Sequence, residues 1–261
     1  MEHKEIKKRN IRALSQEELI EFFESQGEKK FRANQVFDWV WKKSFTSFEN
    51  MSNISKETRL LLAKHFYFNK LTIDTKQISN DGTIKCGFKL YDGSIVEGVL
   101  IPTKKRMTAC ISSQVGCSLA CAFCATGKLK RMRNLTYDEI YDQVVEINNL
   151  AKENYDKPLT NIVYMGMGEP LLNYKNTLMS VQKITSDEGL GMASRRITVS
   201  TAGIAKMIMK LGDDGVKFNL ALSLHAANDE ASVDFPKFIN EVAKLYSLGI
   251  LRCLLGPNKI G

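Results

Sequence analysis

Cys117, Cys121 and Cys124 place three thiols within eight residues, the strongest chemical signal in the sequence. Thiolates are soft ligands that suit iron–sulfur clusters, zinc or copper(I). A cubane cluster normally takes four cysteines. Three at Cys-x3-Cys-x2-Cys spacing can hold three irons and leave the fourth open to a small chelator. Zinc is the rival, but its structural sites close with a fourth Cys or His. The nearest upstream thiol, Cys110, lies on a predicted strand. Spacing alone favours a cluster and leaves zinc open.

A second segment, Met165-Gly-Met-Gly-Glu-Pro170, follows an apolar strand at Asn161–Met165. Glycine lets backbone amides approach a ligand closely, and Glu169 can accept hydrogen bonds from an ammonium group. Both segments fall at carboxyl ends of predicted parallel strands, where α/β folds bind ligands.

The elements that position them alternate. A strand is expected at Thr108–Ser112, then a helix boxed by Thr136 and Glu139 with Ile140, Val144, Ile147 and Ala151 on its stripe. A helix at Lys175–Ile184, a strand at Arg196–Ser200, a helix at Ile204–Leu211 and a strand at Lys217–His225 follow. Such alternation means βαβ units and a parallel sheet. In the last strand Phe218, Leu220, Leu222 and Leu224 face one way, and Asn219, Ala221, Ser223 and His225 the other. A small, polar face suits a strand lining a ligand cavity; a strand with one solvated face is the alternative.

Upstream, Ile11–Phe68 is helical. Ser15 and Glu18 form a capping box. A helix over Phe31–Trp41 carries Val36, Trp39 and Val40, and one from Ser55 carries Leu60, Leu61 and Ala63. Thr83–Leu90 and Ser94–Ile101 flank the turn Tyr91-Asp92-Gly93 as a hairpin. The organisation expected is a small basic helical unit (1–70), a linking hairpin (71–102) and a core (103–261).

Among 261 residues, 37 Lys and Arg outweigh 29 Asp and Glu, a net charge of +8. Clusters such as Lys29-Lys30, Lys42-Lys43 and Lys128 to Arg133 attract polyanions, nucleic acid first, with a solvated surface that has no partner as the equal alternative. No apolar run reaches the ~18 residues of a membrane span, and the start is not a secretory signal. The expectation is a cytoplasmic protein with no membrane partner. There, six cysteines point to metal or redox chemistry rather than disulfides.

Taken together, these segments resemble the RlmN/Cfr family of radical S-adenosylmethionine (SAM) RNA methyltransferases, on its RlmN side. Phe31-Arg-Ala-Asn-Gln-Val36, Glu97 to Pro102, Cys110-Ile-Ser-Ser-Gln-Val-Gly-Cys117, the triad, Met165 to Leu172, Arg195 to Gly203 and Ser223 to Asp229 agree in order and spacing. The resemblance implies an α/β fold, an incomplete radical SAM (β/α) barrel of about four strands behind a small helical N-terminal domain. It implies that Cys117, Cys121 and Cys124 ligate a [4Fe–4S] cluster whose open iron chelates SAM. Gly168 and Glu169 would hold the methionine end, and Ser200, Ser223, Leu224 and His225 would line the rest. Glu97 matches the family's proton acceptor, and Cys110 the cysteine that helps resolve a protein–RNA adduct. On residue type alone, Glu97 would be a strand carboxylate paired with a lysine, and Cys110 a buried small hydrophobe.

The activity implied is methylation of adenosine C2 in 23S rRNA, with tRNA as a further candidate, through a methyl-cysteine intermediate. Implied partners are RNA and an electron donor such as a flavodoxin or ferredoxin, with the protein a monomer. After Glu230 the sequence departs from the family pattern, as if an internal segment were missing. Phe235–Ile250 resembles the family's last helix, and Arg252-Cys-Leu-Leu-Gly256-Pro-Asn a segment in which Cys253 aligns with an arginine. The methyl-carrying cysteine would then fall beyond Gly261. The competing expectation is a catalytically incomplete relative that binds cluster and RNA without methylating.

Overall fold

The computed structural model describes residues 8–119, 121 and 124–223. Leu224, His225, Cys253 and the expected helix 235–250 lie outside them.

The amino-terminal unit opens with β1 (Arg9–Asn10) and α1 (Gln16–Ser25), whose start is fixed as predicted: Ser15 and Glu18 cap each other's backbone reciprocally. α2 (Phe31–Phe37) runs on into a π-helical turn at Asp38–Lys42. Together they bury Val36, Trp39 and Val40 as expected, and Trp41 as well. In α3 (Lys56–His65) the expected stripe is corrected: Leu62 is the fully buried leucine, Leu60 is 63% exposed, and of the expected residues Ala63 packs against the core. Three consecutive leucines fit any helical phase, so the sequence pattern could not choose among them. β2 (Phe66–Tyr67) returns to pair with β1 in parallel.

The hairpin of β4 (Ile84–Lys89) and β5 (Ile95–Pro102) forms as predicted, antiparallel around Asp92. It carries an additional edge strand, β3 (Thr72–Ile78), and joins the main sheet through β5 and β6 (Met107–Cys110). β6 stops at Cys110, short of the expected Ser112. Ser112 instead turns into β7 (Gln114–Val115), which pairs with β8 (Arg133–Asn134) on the far side of the cysteine loop. α4 (Tyr137–Tyr155), β9 (Asn161–Tyr164), α5 (Tyr174–Thr185), β10 (Ile197–Thr201), α6 (Ala205–Asp213) and β11 (Asn219–Leu222) complete the alternation. The sheet order is β11-β10-β9-β6-β5-β4-β3, with β6, β9, β10 and β11 parallel.

Register fixes which residues share a face. Leu100, Ala109, Ile162, Ile197, Val199 and Leu220 lie on the face packed by the helices and are buried. The α4 stripe of Ile140, Val144, Ile147 and Ala151 is wholly buried as well. A Cβ on Gly98 would strike the Phe88 side chain of β4 and press on Ile147 of α4. The opposite face carries Glu97, Val99, Cys110, Val163, Thr198, Ser200 and Ala221, none of them fully buried.

Candidate functional site

The site lies at the carboxyl ends of β6, β9 and β10. The loop after β6 carries the three cysteines, each a half-buried free thiol. Two features shape it. Gly116 takes a left-handed φ of 73°, and a Cβ there would run into the Lys130 carbonyl, so the loop's two arms touch just before Cys117. The Cys124 amide then donates to the Cys121 carbonyl at 3.0 Å, turning the loop back. The Cys121 thiol is pushed up, by burial first and then by the negative charges of Cys117 and Cys124, with Glu169 adding to them. Among the described residues no three metal-ligating side chains converge on a single-ion site. An open cleft of about 440 Å³ beside Cys117 is lined by Lys128, Lys130 and Arg131.

Glu169 is only 4% exposed, and its carboxylate bridges two loops. Oε1 accepts from the Leu171 amide at 3.0 Å and Oε2 from the Ala202 amide at 2.8 Å. Its own amide donates to Gln114 Oε1 at 2.9 Å. Gly168, with φ of 95°, approaches so closely that a Cβ would clash with the Gln114 side chain. Each carboxylate oxygen has a second lone pair, so an ammonium group can still be accepted there.

Ser200 and Ser223 project from neighbouring strand ends, their hydroxyls 3.1 Å apart. Cys110 sits between Val99 and Val163 on the open face, its thiol pushed up by burial against a backbone hydrogen bond involving Met165. Glu97 stands at the edge of this face. Its carboxylate is half-exposed and paired with Lys85 Nζ at 2.6 Å, the bland pairing its residue type suggested.

A model of the ribosomal RNA large subunit methyltransferase N-terminal domain matches residues 9–68, and one of the radical SAM superfamily matches residues 111–247. A probable dual-specificity RNA methyltransferase RlmN of Cytophaga hutchinsonii is 67% identical over 225 residues, 86% of this chain and 62% of the relative. One of Christiangramia forsetii is 57% identical over 93% of this chain and 68% of its own length. The chain belongs to the RlmN family of radical SAM proteins. The crystal structure of a radical SAM methyltransferase from Sphaerobacter thermophilus superposes with a TM-score of 0.81 at 35% identity, over 92% of this chain and 73% of that one. The chain thus spans about two thirds of the length of its RlmN relatives.

Membership brings a [4Fe–4S] cluster and SAM as cofactors. The residues present fit them: three free thiols on one turned loop, with a buried carboxylate near enough to raise the Cys121 thiol.

Sequence reasoning gave no role to the buried polar network beneath the site. Ser112 Oγ donates to the Glu97 carbonyl at 2.6 Å and accepts from the Met167 amide at 2.8 Å. Gln143 holds the Ser112 backbone from both sides, at 2.9 and 3.1 Å. Asn173 Nδ2 donates to the carbonyls of Ser113 and Leu135 at 2.8 and 2.7 Å. Ser112 and Gln114 stood inside a matching segment, but residue type alone does not show that they are buried.

Proposed function

We propose that this chain is the cofactor-binding and RNA-docking part of a cytoplasmic methyltransferase acting on C2 of adenosine in 23S rRNA, with tRNA as a second substrate. The observation that carries the reading is that Cys117, Cys121, Cys124, Glu169 and the Ser200–Ser223 pair all sit at one end of the parallel strands. When bound, the cluster and SAM supply a reductively generated radical and a methyl group, which an unreactive aromatic carbon requires. Cys117, Cys121 and Cys124 would each hold one iron. Gly168 would let the backbone meet the methionine end of SAM, and Glu169 would accept its ammonium protons while keeping its loops joined. Ser200 and Ser223, with Leu224 and His225, would line the remainder. Glu97 would take the proton leaving adenosine C2, and Cys110 would resolve the adduct between protein and base.

The unit 1–70 would grip RNA through Lys29, Lys30, Lys42 and Lys43, all exposed, ahead of a linking segment (71–102) and the core (103–261). An electron donor such as a flavodoxin or ferredoxin would reduce the cluster, and the protein would act as a monomer. The name of its relatives, probable dual-specificity RNA methyltransferase, supports RNA as the substrate and more than one target. Among the described residues no helix is long and apolar enough to cross a membrane.

The test is RNA affinity of the anaerobically reconstituted protein. Binding to an rRNA fragment should weaken by about 0.7–0.9 log units per log unit of salt for each phosphate contact. Charge reversal at the four lysines should flatten that slope; a slope left unchanged overturns the docking assignment. Mass spectrometry of RNA digested after reaction with the whole-length protein then decides between 2-methyladenosine and another product.

A further inference from the structure

The first half of α4 is held from two sides. On one, Glu139 binds Arg133 through both carboxylate oxygens at 2.8 Å, and Gln143 clamps Ser112. Ser112 and Arg133 bracket the segment that carries the three cysteines. On the other, Tyr137, Asp138, Tyr141 and Asp142 meet the amino-terminal unit. Asn10 Nδ2 donates to Asp138 Oδ2 at 2.7 Å. The Arg12 guanidinium donates to Asp142 and to the Val40 carbonyl, 3.2 Å away, and lies 5.2 Å over the Trp41 ring. The Tyr137 hydroxyl donates to the Arg12 carbonyl and the Tyr141 hydroxyl to that of Trp41.

Arg12 is 1% exposed and Asp142 5%. A buried ion pair adds little net stability over apolar side chains of the same volume, because desolvation offsets the attraction. It does select one arrangement, since any other docking angle strands a buried charge. A single α4 therefore sets the pose of the amino-terminal unit with one group of side chains and the base of the cysteine loop with another.

We propose that Arg12 and Asp142 are positioning residues: they fix the angle of the amino-terminal unit on α4, and so align its basic surface with the mouth of the site. The alignment of RNA rests on the reading of RNA as substrate; the fixing of the angle does not.

The test is the double variant R12M/D142L in the reconstituted protein. Its denaturation midpoint should match wild type, while either single change lowers it by stranding the partner charge. Iron content and RNA-independent SAM cleavage should be unchanged. RNA affinity should fall about tenfold or more, with a flatter salt slope because fewer phosphates are reached at once. The variant R12K, which keeps the charge and loses the fork, should show the same split and covers the case in which the double variant does not fold. Wild-type RNA affinity in a stable double variant, or in R12K, overturns the proposal. If wild-type protein itself binds no RNA, the RNA reading fails, and small-angle scattering decides the rest. A profile of R12K or the double variant that superposes on wild type overturns the fixed angle, and a changed profile supports it.

Discussion

On one face of the central sheet Leu100, Ala109, Ile162, Ile197 and Val199 lie completely buried under helices. On the other, Glu97, Cys110, Val163, Thr198 and Ser200 come from the same strands, one residue out of phase, and keep part of their surface open. The first face removes apolar area from water at roughly 25 cal/mol per Å². The second forgoes that gain and leaves room for ligands beside the cysteine loop. Stability and chemistry are thus separated by strand parity rather than by distance along the chain. Substitutions on the two faces should therefore fail differently.

The sharpest contrast concerns the cysteine loop, which packs little of the core. Cys121→Ala should abolish the broad absorbance near about 400 nm of the reconstituted cluster, while the apo protein keeps its urea midpoint. Retained absorbance, or zinc in place of iron in the metal analysis, breaks the assignment of the loop.

Neighbouring residues on one strand give the next contrast. Ile197→Ala, on the covered face, should cost about 2–5 kcal/mol through lost burial and a residual cavity. Thr198→Ala, on the open face, should stay within about 0.5–1 kcal/mol. Urea denaturation of both variants measures the gap; equal losses would mean that the open face is packed after all.

A smaller effect tests the polar anchor of the loop. Arg133 binds Asp92 in the β4–β5 turn at 2.7 Å and holds its carboxyl down at about 2, from an ordinary 3.8. The folded value is depressed, so the stabilisation is complete above pH 3.8 and fades as pH falls toward 2. With Asp92 partly open to solvent, the effect is about 1 kcal/mol. Asp92→Asn should lower stability by that amount at neutral pH and match wild type near pH 2. A difference that persists undiminished in acid would assign it to packing instead.

The predicted strand-and-helix alternation reappears in the fold because it rests on local periodicity and capping, as at Ser15–Glu18 and Thr136–Glu139. β3 escaped notice because all seven of its residues are exposed, leaving no alternation to detect; only its backbone pairs with β4. In the candidate site, the cysteine spacing, Gly168–Glu169 and the facing of Ser223 were legible, and Ser200 could be added by resemblance. The structure brings those two serines together.

The sequence by itself determined the ligand types, the order of elements and the phase of most buried stripes, all of which follow from residue chemistry and from spacings of a few positions. Only the tertiary structure decided that Glu169 reaches the Ala202 amide from another loop and that Arg12 meets Asp142 across 130 residues. Such contacts leave no periodic trace. They depend on which distant surfaces close on each other, and a charge finds its buried partner only after the apolar faces around it have packed.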